Sequence, residues 1–365
     1  MRITLVAGAR PNFIKIAPLI AAIQEMKTAG AKIRYRLVHT GQHYDRMMSG
    51  NFFEQLQIPE PHINLNAGGG SQAEQTAQIM ISFEKELIQN PTDLVLVVGD
   101  VTSTLACSIT AKKLNIPVAH VEAGIRSGDL SMPEEINRIV TDSISDYFFT
   151  TTKDASKQLQ KIGKQPEQIF FVGNVMIDTL LKFRPTFRKP VFFDELDLKT
   201  KNYLVLTLHR PSNVDEAQKL QELIAFICQQ AKEIPVIFPV HPRTRQNYAL
   251  DSTPENLQLT DPLGYLEFNY LVENALGVLT DSGGITEETT VLNIPCITLR
   301  ENTERPETIS MGTNELAGTD LPAIKKLMQI MLSGNWKQGV IPELWDGKSA
   351  KRIVEILLHE FKTSH

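Results

Sequence analysis

The sequence predicts an α/β protein built from two doubly wound parallel sheets. Strand-like apolar runs alternate with segments whose apolar residues recur every three or four positions, the spacing of amphipathic helices. Such alternation implies parallel βαβ units, not hairpins. The pattern lapses once, over residues 183–200, into "FRPTFRKPVFFDELDLKT", rich in Pro and charge, and then resumes. The chain of 365 residues also exceeds one typical domain of about 150 residues, so two domains are expected.

The strands of the first half are "ITLVAG", "YRLVHTG", "LVLVVGD", "VAHVEAG", "YFFTTT" and "IFFVGN". Between them, "FIKIAPLIAAIQEM", "SQAEQTAQIMISFEKELI" and "STLACSITAKKL" read as helices. After the lapse come "YLVLTLHR", "VIFPVH", "GVLTD" and "CITLR". The architecture repeats although the sequence does not. The expected organisation is a first domain over 1–182, a linker over 183–200 and a second domain over 201–346. An amphipathic C-terminal helix follows within 347–365, and packing back on the first domain is one placement for it.

Bulk properties narrow the function. The chain is 42% hydrophobic and 22% charged, an ordinary globular balance, and its net charge of −5 offers nothing to nucleic acid or an anionic membrane. The opening "MRITLVAGARP" reads as a first strand and not as a signal peptide. No apolar run reaches the roughly 20 residues of a membrane span. Cys107, Cys228 and Cys296 are far apart and odd in number, which suits buried free thiols in a reducing cytoplasm.

Chemistry-bearing residues collect where strands end: Arg10, Gln42 and His43, Asp100, Glu122, His209 and Arg210, His241, Asp281, and Arg300. In open parallel sheets ligands bind beyond the carboxyl ends of the strands, so two such sheets facing each other would surround one cleft. The competing reading is that these residues merely cap helices at the surface. Asp100, in "VVGDVTST", fits a helix cap as well as a site. Glu134 has a specific structural explanation, because Ser131 and Glu134 match a capping box with Pro133 near the first helical position. Glu122 has none, and a carboxylate ending an apolar strand is a general acid/base candidate.

The second half supplies cations. His209 and Arg210 adjoin at a strand end, Arg243 and Arg245 flank "VHPRTR" beside His241, and Arg305 lies in "ENTERPE". His39 and His43 have the i, i+4 spacing of a helical zinc pair, but "VHTGQH" is a strand and turn, so no metal site is expected. In "LTDSGGITEE" a strand stops at Asp281, the chain turns through Ser282, Gly283 and Gly284, and a helix then begins with two glutamates; the N–H groups of the turn and of the helix start suit a phosphate. Glu287 and Glu288 look misplaced beside an anion-binding turn, and the ordinary reading is that they answer the helix dipole in the first turn. Carboxylates in the first half and cations in the second suit a sugar undergoing proton chemistry while its diphosphate is held.

"GARPNFIKIAPL", "HTGQHYD", "GDVTSTLA", "HVEAGIRSGDLSMPEEINR", "GNVMIDTL", "TLHRPSNVD", "FPVHPRTR", "LTDSGGITEE" and "ENTERPE" together resemble the non-hydrolysing UDP-N-acetylglucosamine 2-epimerases, over nearly the whole chain. The resemblance implies a GT-B-like fold of two Rossmann-type domains with the active site in the interdomain cleft. It implies a homodimer, free of NAD or other cofactor, interconverting UDP-GlcNAc and UDP-ManNAc by eliminating UDP to a 2-acetamidoglucal and adding it back. Asp100, Glu122 and Glu134 are the implied acid/base carboxylates. Arg10, Lys15 and His209 would contact the phosphates or leaving group, and Ser282, Gly283 and Gly284 the diphosphate. Glu288 would take the ribose hydroxyls, with Glu287 as the helix-dipole residue, and Arg305 would hold the nucleotide end. Arg210 and His241 are further expected substrate-binding residues. Some bacterial members bind a second UDP-GlcNAc as activator, and Gln42 and His43, with Arg210 and His241, lie in motifs that suit it.

One departure bears on substrate. The common family pattern near the start is Arg-Pro-Glu, and here Asn12 stands in place of the glutamate. That and "TGQHYD" also resemble relatives that epimerise UDP-2,3-diacetamido-2,3-dideoxyglucuronate, whereas "TERPE" is intact as in the N-acetylglucosamine enzymes. A GT-B glycosyltransferase and a non-catalytic UDP-sugar sensor are the further alternatives.

Overall fold

The computed structural model describes residues 1–41, 53–240, 244 and 254–363. It divides into two compact units: Met1–Lys182 with Glu343–His365, and Phe183–Pro342.

The first unit runs β1 (Arg2–Ala7), α1 (Arg10–Thr28), β2 (Arg34–His39), β3 (Ile63–Asn64), α2 (Gln72–Gln89), β4 (Leu94–Val98), α3 (Thr102–Lys113), β5 (Val118–Val121), α4 (Pro133–Ile144), β6 (Tyr147–Thr150), α5 (Lys153–Lys161), β7 (Ile169–Phe171) and α6 (Val175–Phe183). Among the described residues its sheet has the order β3-β2-β1-β4-β5-β6-β7, every pair parallel. β4 is "LVLVV" with every residue buried, because helices cover both faces of a parallel sheet. Val95 and Val97 pack with Phe83, Ala106 and Cys107 from the covering helices.

The second unit opens with residues that sequence composition marks as a linker. They fold into it: Phe193, in α7 (Phe192–Glu195), is buried with its ring 5.7 Å from those of Tyr203 and Tyr270. Then follow β8 (Leu204–Thr207), α8 (Pro211–Val214), α9 (Ala217–Ala231), β9 (Val236–Pro239), β10 (Leu257–Thr260), α10 (Tyr265–Asn274), β11 (Gly277–Thr280), α11 (Gly283–Leu292), β12 (Cys296–Thr298), α12 (Pro306–Ser310), β13 (Asn314–Leu316) and α13 (Leu321–Leu332). The sheet order is β10-β9-β8-β11-β12-β13, again all parallel.

The chain then rejoins the first unit. Trp345 is buried there, its indole Nε1 donating to the Thr151 carbonyl at 3.1 Å. The last helix, α14 (Ser349–Thr363), starts against Asp178 of α6, whose carboxylate accepts from the N–H groups of Ser349 and Ala350 at 3.1 and 2.6 Å. That carboxylate satisfies first-turn donors that no helix can satisfy internally. Burial raises its pKa to about 6.

Both sheets reverse strand order once, between β1 and β4 in one unit and between β8 and β11 in the other. Such a reversal opens a crevice at the strand tips, because the neighbouring connections leave to opposite sides. The first crevice is bounded by residues 8–10 and 99–100, the second by residues 208–210 and 281–283. Sequence-predicted site residues occupy both. Among the described residues no helix is long and apolar enough to cross a membrane, and the three cysteines are buried and unpaired.

Candidate active site

In the first unit the tip is assembled around Gly99 and Asp100, which follow β4. Gly99 adopts φ +67°, and a Cβ there would stand 2.9 Å from Lys15 Nζ and 3.1 Å from Glu122 Oε2. The positive φ favours glycine here, and its missing Cβ leaves room for the ends of the Lys15 and Glu122 side chains. Lys15 comes from α1 and Glu122 follows β5; their side chains form a buried ion pair. Asp100 accepts from Arg138 Nε and Nη2 at 3.0 and 2.6 Å, and its backbone carbonyl accepts from Asn137 Nδ2 at 2.8 Å. Arg138 also donates to Glu135 at 2.8 Å. Glu135 in turn accepts from the N–H groups of Ser127 and Gly128, fixing the loop before α4. Burial pushes the Glu135 carboxyl up, but these N–H donors and Arg138 outweigh it and hold it below the usual range.

Glu134 stands one turn before Arg138 on α4. The capping box expected of Ser131 and Glu134 is not formed: the N-cap is Met132, without a side-chain bond, and Pro133 is the first helical residue. The Ser131 hydroxyl donates instead to Asp129 at 2.6 Å, one residue too early to cap. Among the described residues Glu134 has no hydrogen-bond or ion-pair partner, which removes its structural explanation and leaves a half-buried carboxylate.

Arg10 opens α1, half-buried, and burial lowers its pKa. Asn12, where the family pattern has glutamate, is buried. Its Oδ1 accepts from the N–H groups of Gly8 and Ala9 at 3.0 and 2.9 Å, and its Nδ2 donates to the Val98 carbonyl at 3.0 Å. The side chain ties the β1 tip to the β4 tip, so its polar atoms serve the scaffold.

In the second unit Asp281, fully buried, organises the tip. It accepts from the His209 and Arg210 N–H groups at 3.0 Å each and from Asn213 Nδ2 at 3.1 Å. It also faces His209 Nδ1 at 2.8 Å. Burial would raise its pKa; the His209 ring and the backbone donors more than offset this and lower it. With Nδ1 so engaged, the half-exposed His209 ring presents Nε2. Arg210 donates from Nε to the Asp281 carbonyl at 3.1 Å. Sequence reading placed Asp281 at a strand end without giving it a role, although an acid ending a buried strand beside a His-Arg pair was the available signal.

Ser282 is the N-cap of α11 and makes no side-chain cap bond, so the first-turn N–H groups of Gly283 and Gly284 have no side-chain acceptor among the described residues. They form an N-terminal anion site in the making. The helix begins at Gly283, which places Glu287 and Glu288 in its second turn. The expectation that Glu287 answers the helix dipole in the first turn is therefore corrected: Glu287 is fully buried in an ion pair with Arg305. Glu288 is also buried, accepting from the Tyr265 hydroxyl at 3.1 Å. Burial, aided by the charge of Glu287, raises its pKa to about 7 against the opposing hydrogen bonds of Tyr265 and Asn269. Arg300, which the sequence places at a strand end, pairs with Glu304 at 2.6 Å, a buried partner that sequence reading did not single out. Gln42, His43 and His241, with Arg243 and Arg245, lie outside the described residues.

The sequence model of the family described as UDP-N-acetylglucosamine 2-epimerase matches residues 24–358. The chain belongs to this family. It is 40% identical to the UDP-N-acetylglucosamine 2-epimerase of Methanocaldococcus jannaschii, over 98% of this chain and 99% of that one. A crystal structure of the M. jannaschii UDP-GlcNAc 2-epimerase in complex with UDP-GlcNAc and UDP superposes with a TM-score of 0.88 at 40% identity, covering 98% of this chain and 100% of that chain. A UDP-2,3-diacetamido-2,3-dideoxy-D-glucuronate 2-epimerase from Pseudomonas aeruginosa is 38% identical, over 98% of this chain and 99% of its own. The two doubly wound units are the GT-B-like fold that the resemblance to this epimerase family implies.

Proposed function

We propose that the chain epimerises UDP-GlcNAc to UDP-ManNAc, reversibly, at C2 of the sugar. The observation that carries the reading is the asymmetry of the two tips within an epimerase-family chain. Asp100 and Glu122 stand about one glycine-backed corner, with Glu134 on the helix whose Arg138 holds Asp100, and a histidine, arginines and an uncapped helix N-terminus stand about the other.

No carbonyl neighbours C2 in the ring, so its hydrogen is not acidic enough for simple removal and return. Elimination solves this. A carboxylate takes the C2 proton, the electron pair forms the C1–C2 double bond, and the C1–O bond breaks to release UDP. A second carboxylate then gives a proton to the opposite face of C2 while UDP adds back at C1. Asp100, Glu122 and Glu134 supply the acid/base groups for two faces. UDP must be held while unbonded, and the second unit offers His209 Nε2, Arg210 and the first-turn N–H groups of α11 for its diphosphate. Glu288 would accept from the ribose hydroxyls, and Arg305 would support that end through Glu287. Arg10 and Lys15 complete the leaving-group side.

The diacetamidoglucuronate reading is favoured by one similarity, at 38% identity. Asn12, the residue that first suggested it, is spent on backbone groups, so it lends that substrate no support. Both belong in one assay. Pure protein with each UDP-sugar in deuterated water should give C2-labelled UDP-ManNAc from UDP-GlcNAc and no product from the glucuronate. Label in the glucuronate alone would reverse the assignment. Transfer of sugar to an acceptor would favour a glycosyltransferase, and tight binding without turnover a sensor. The accompanying proposals are a homodimer serving polysaccharide synthesis in the cytoplasm, and activation by a second UDP-GlcNAc through Gln42, His43, Arg210 and His241. Sedimentation and sigmoidal kinetics test the dimer and the activation respectively.

A further inference from the structure

His120 lies in β5 with its side chain shut off from solvent, between two acceptors. Its Nδ1 is 2.7 Å from Oδ1 of Asp142, on α4, and its Nε2 is 2.9 Å from the carbonyl oxygen of Gly99. A carbonyl oxygen can only accept. On the other side of the ring stands Asp142, whose second oxygen accepts from Arg126 Nη1 at 2.6 Å and from the Gly124 N–H at 3.1 Å. A bare Nε2 would set lone pair against lone pair with the Gly99 carbonyl in the interior, so Nε2 carries a proton and donates to it.

We propose that the buried His120 positions Asp100 by gripping the carbonyl of Gly99 through its Nε2–H. Gly99 is held on its other side as well, its N–H donating to the Val121 carbonyl at 3.0 Å. With φ at +67° it is the corner at which the chain leaves β4, and the next residue is Asp100. A small rotation at this corner swings the Asp100 carboxylate and opens the surface against which Lys15 and Glu122 rest. The charged groups around the ring are Asp142 from α4, Arg126 from the loop after β5, and the Lys15–Glu122 pair beyond Gly99. The Asp100–Arg138 pair lies past the same corner. Asp142 anchors the ring at Nδ1 and is itself held by Arg126, so the clamp is fixed from behind. The proposal rests on the reading that Asp100 acts on the sugar.

Two substitutions separate the two hydrogen bonds. In His120→Asn the amide nitrogen stands where Nδ1 stood and keeps the Asp142 contact, while the Gly99 carbonyl is released. In His120→Gln the amide nitrogen reaches Gly99 and the Asp142 contact is lost. The expected result is a fall in kcat of about 10²-fold for His120→Asn, since displacement of a reacting group by about 1 Å costs that much. KM and UDP affinity should stay within about twofold and His120→Gln should remain within about tenfold of the parent enzyme. Equal losses in both variants, tracking their melting temperatures, would reduce His120 to a packing residue and overturn the proposal. In the unaltered enzyme labelled with 15N-histidine, His120 should show a proton on Nε2 at the pH of maximal activity. A bare Nε2 refutes the grip even where a variant fails to fold. Absence of epimerisation by the unaltered enzyme would instead sink the functional reading, and the Nε2 signal would still decide the grip.

Discussion

The two units share one strand order, to which the first adds a seventh strand at an edge, and reverse it at the same place, yet their tips have opposite polarity. In the first, Arg138 is buried, 3% exposed, and the carboxylate it holds, Asp100, is 25% exposed. In the second, Asp281 is shut away at 0% and the ring it holds, His209, is 46% exposed. Each unit hides one member of an ion pair and presents the other. The scaffold thus decides where a charge is presented, and the choice of which partner lies inside decides its sign. Bases for a sugar and cations for a diphosphate can then be built on one topology, because a charge is inexpensive to bury only beside its counter-charge.

The strongest challenge removes the presented carboxylate. Asp100→Asn should cut kcat by about 10³-fold or more, the scale of a lost acid/base group, and leave UDP affinity within about twofold. Single-turnover deuterium incorporation with parallel UDP calorimetry separates the two. Loss of binding or of folding would return Asp100 to a capping role.

The hidden partners come next, and here the units should diverge. Arg138→Met leaves Glu135 buried against no cation and should lower unfolding stability by about 3 kcal/mol in denaturant titration, the cost of breaking a buried pair. The surviving enzyme should lose kcat, and Arg138→Lys should restore charge without the two-pronged grip on Asp100. Asp281→Asn should act on the nucleotide. An amide cannot accept from every donor now gathered there, so the His209–Arg210 turn loosens and UDP affinity falls about tenfold, roughly one hydrogen bond to a charged group. A loss of kcat from Asp281→Asn with UDP affinity intact would contradict the division of labour.

How far this was legible beforehand follows from range. The fold could be read because parallel strands buried on both faces are unbroken apolar runs, and "LVLVV" and "GVLT" announce themselves. β3, β10 and β13 did not, since they stand toward the sheet margins, are two to four residues long, and carry Asn, Gln or Glu. Asp100, Glu122 and His209 were legible because they end such runs. Their partners were not: Arg138 is 38 residues from Asp100, and Asp281 is 72 from His209. Ser131 misled because a capping box is a local pattern, whereas the loop before α4 is fixed by Glu135 and by the Asp129 turn. The glutamates of α11 misled for a related reason. Counting from the strand end put them in the first turn, and the helix started earlier, on the glycines.

Glu288 is the exception to the paired pattern and yields the subtlest prediction. It is buried with a hydroxyl for partner, beside another carboxylate, and its pKa stands at about 7 against an ordinary 4.5. A raised value means the folded protein binds the proton more tightly than the unfolded chain. The resulting contribution to stability is complete below about pH 4.5 and is lost as pH rises through about 7, a difference of ~3 kcal/mol on linkage arithmetic. Glu288→Gln, which never ionises, should therefore lack this slope, and melting the two proteins across that window checks it. Ligand binding should show the opposite face of the same equilibrium. Ribose hydroxyls donating to the carboxylate favour its ionised form, so UDP binding near pH 7 should release about half a proton in the parent enzyme and none in Glu288→Gln. Calorimetry in two buffers of different ionisation enthalpy measures that fraction. Proton uptake, or a release that survives the substitution, would place the ribose elsewhere and leave Glu288 as a protonated core residue of α11.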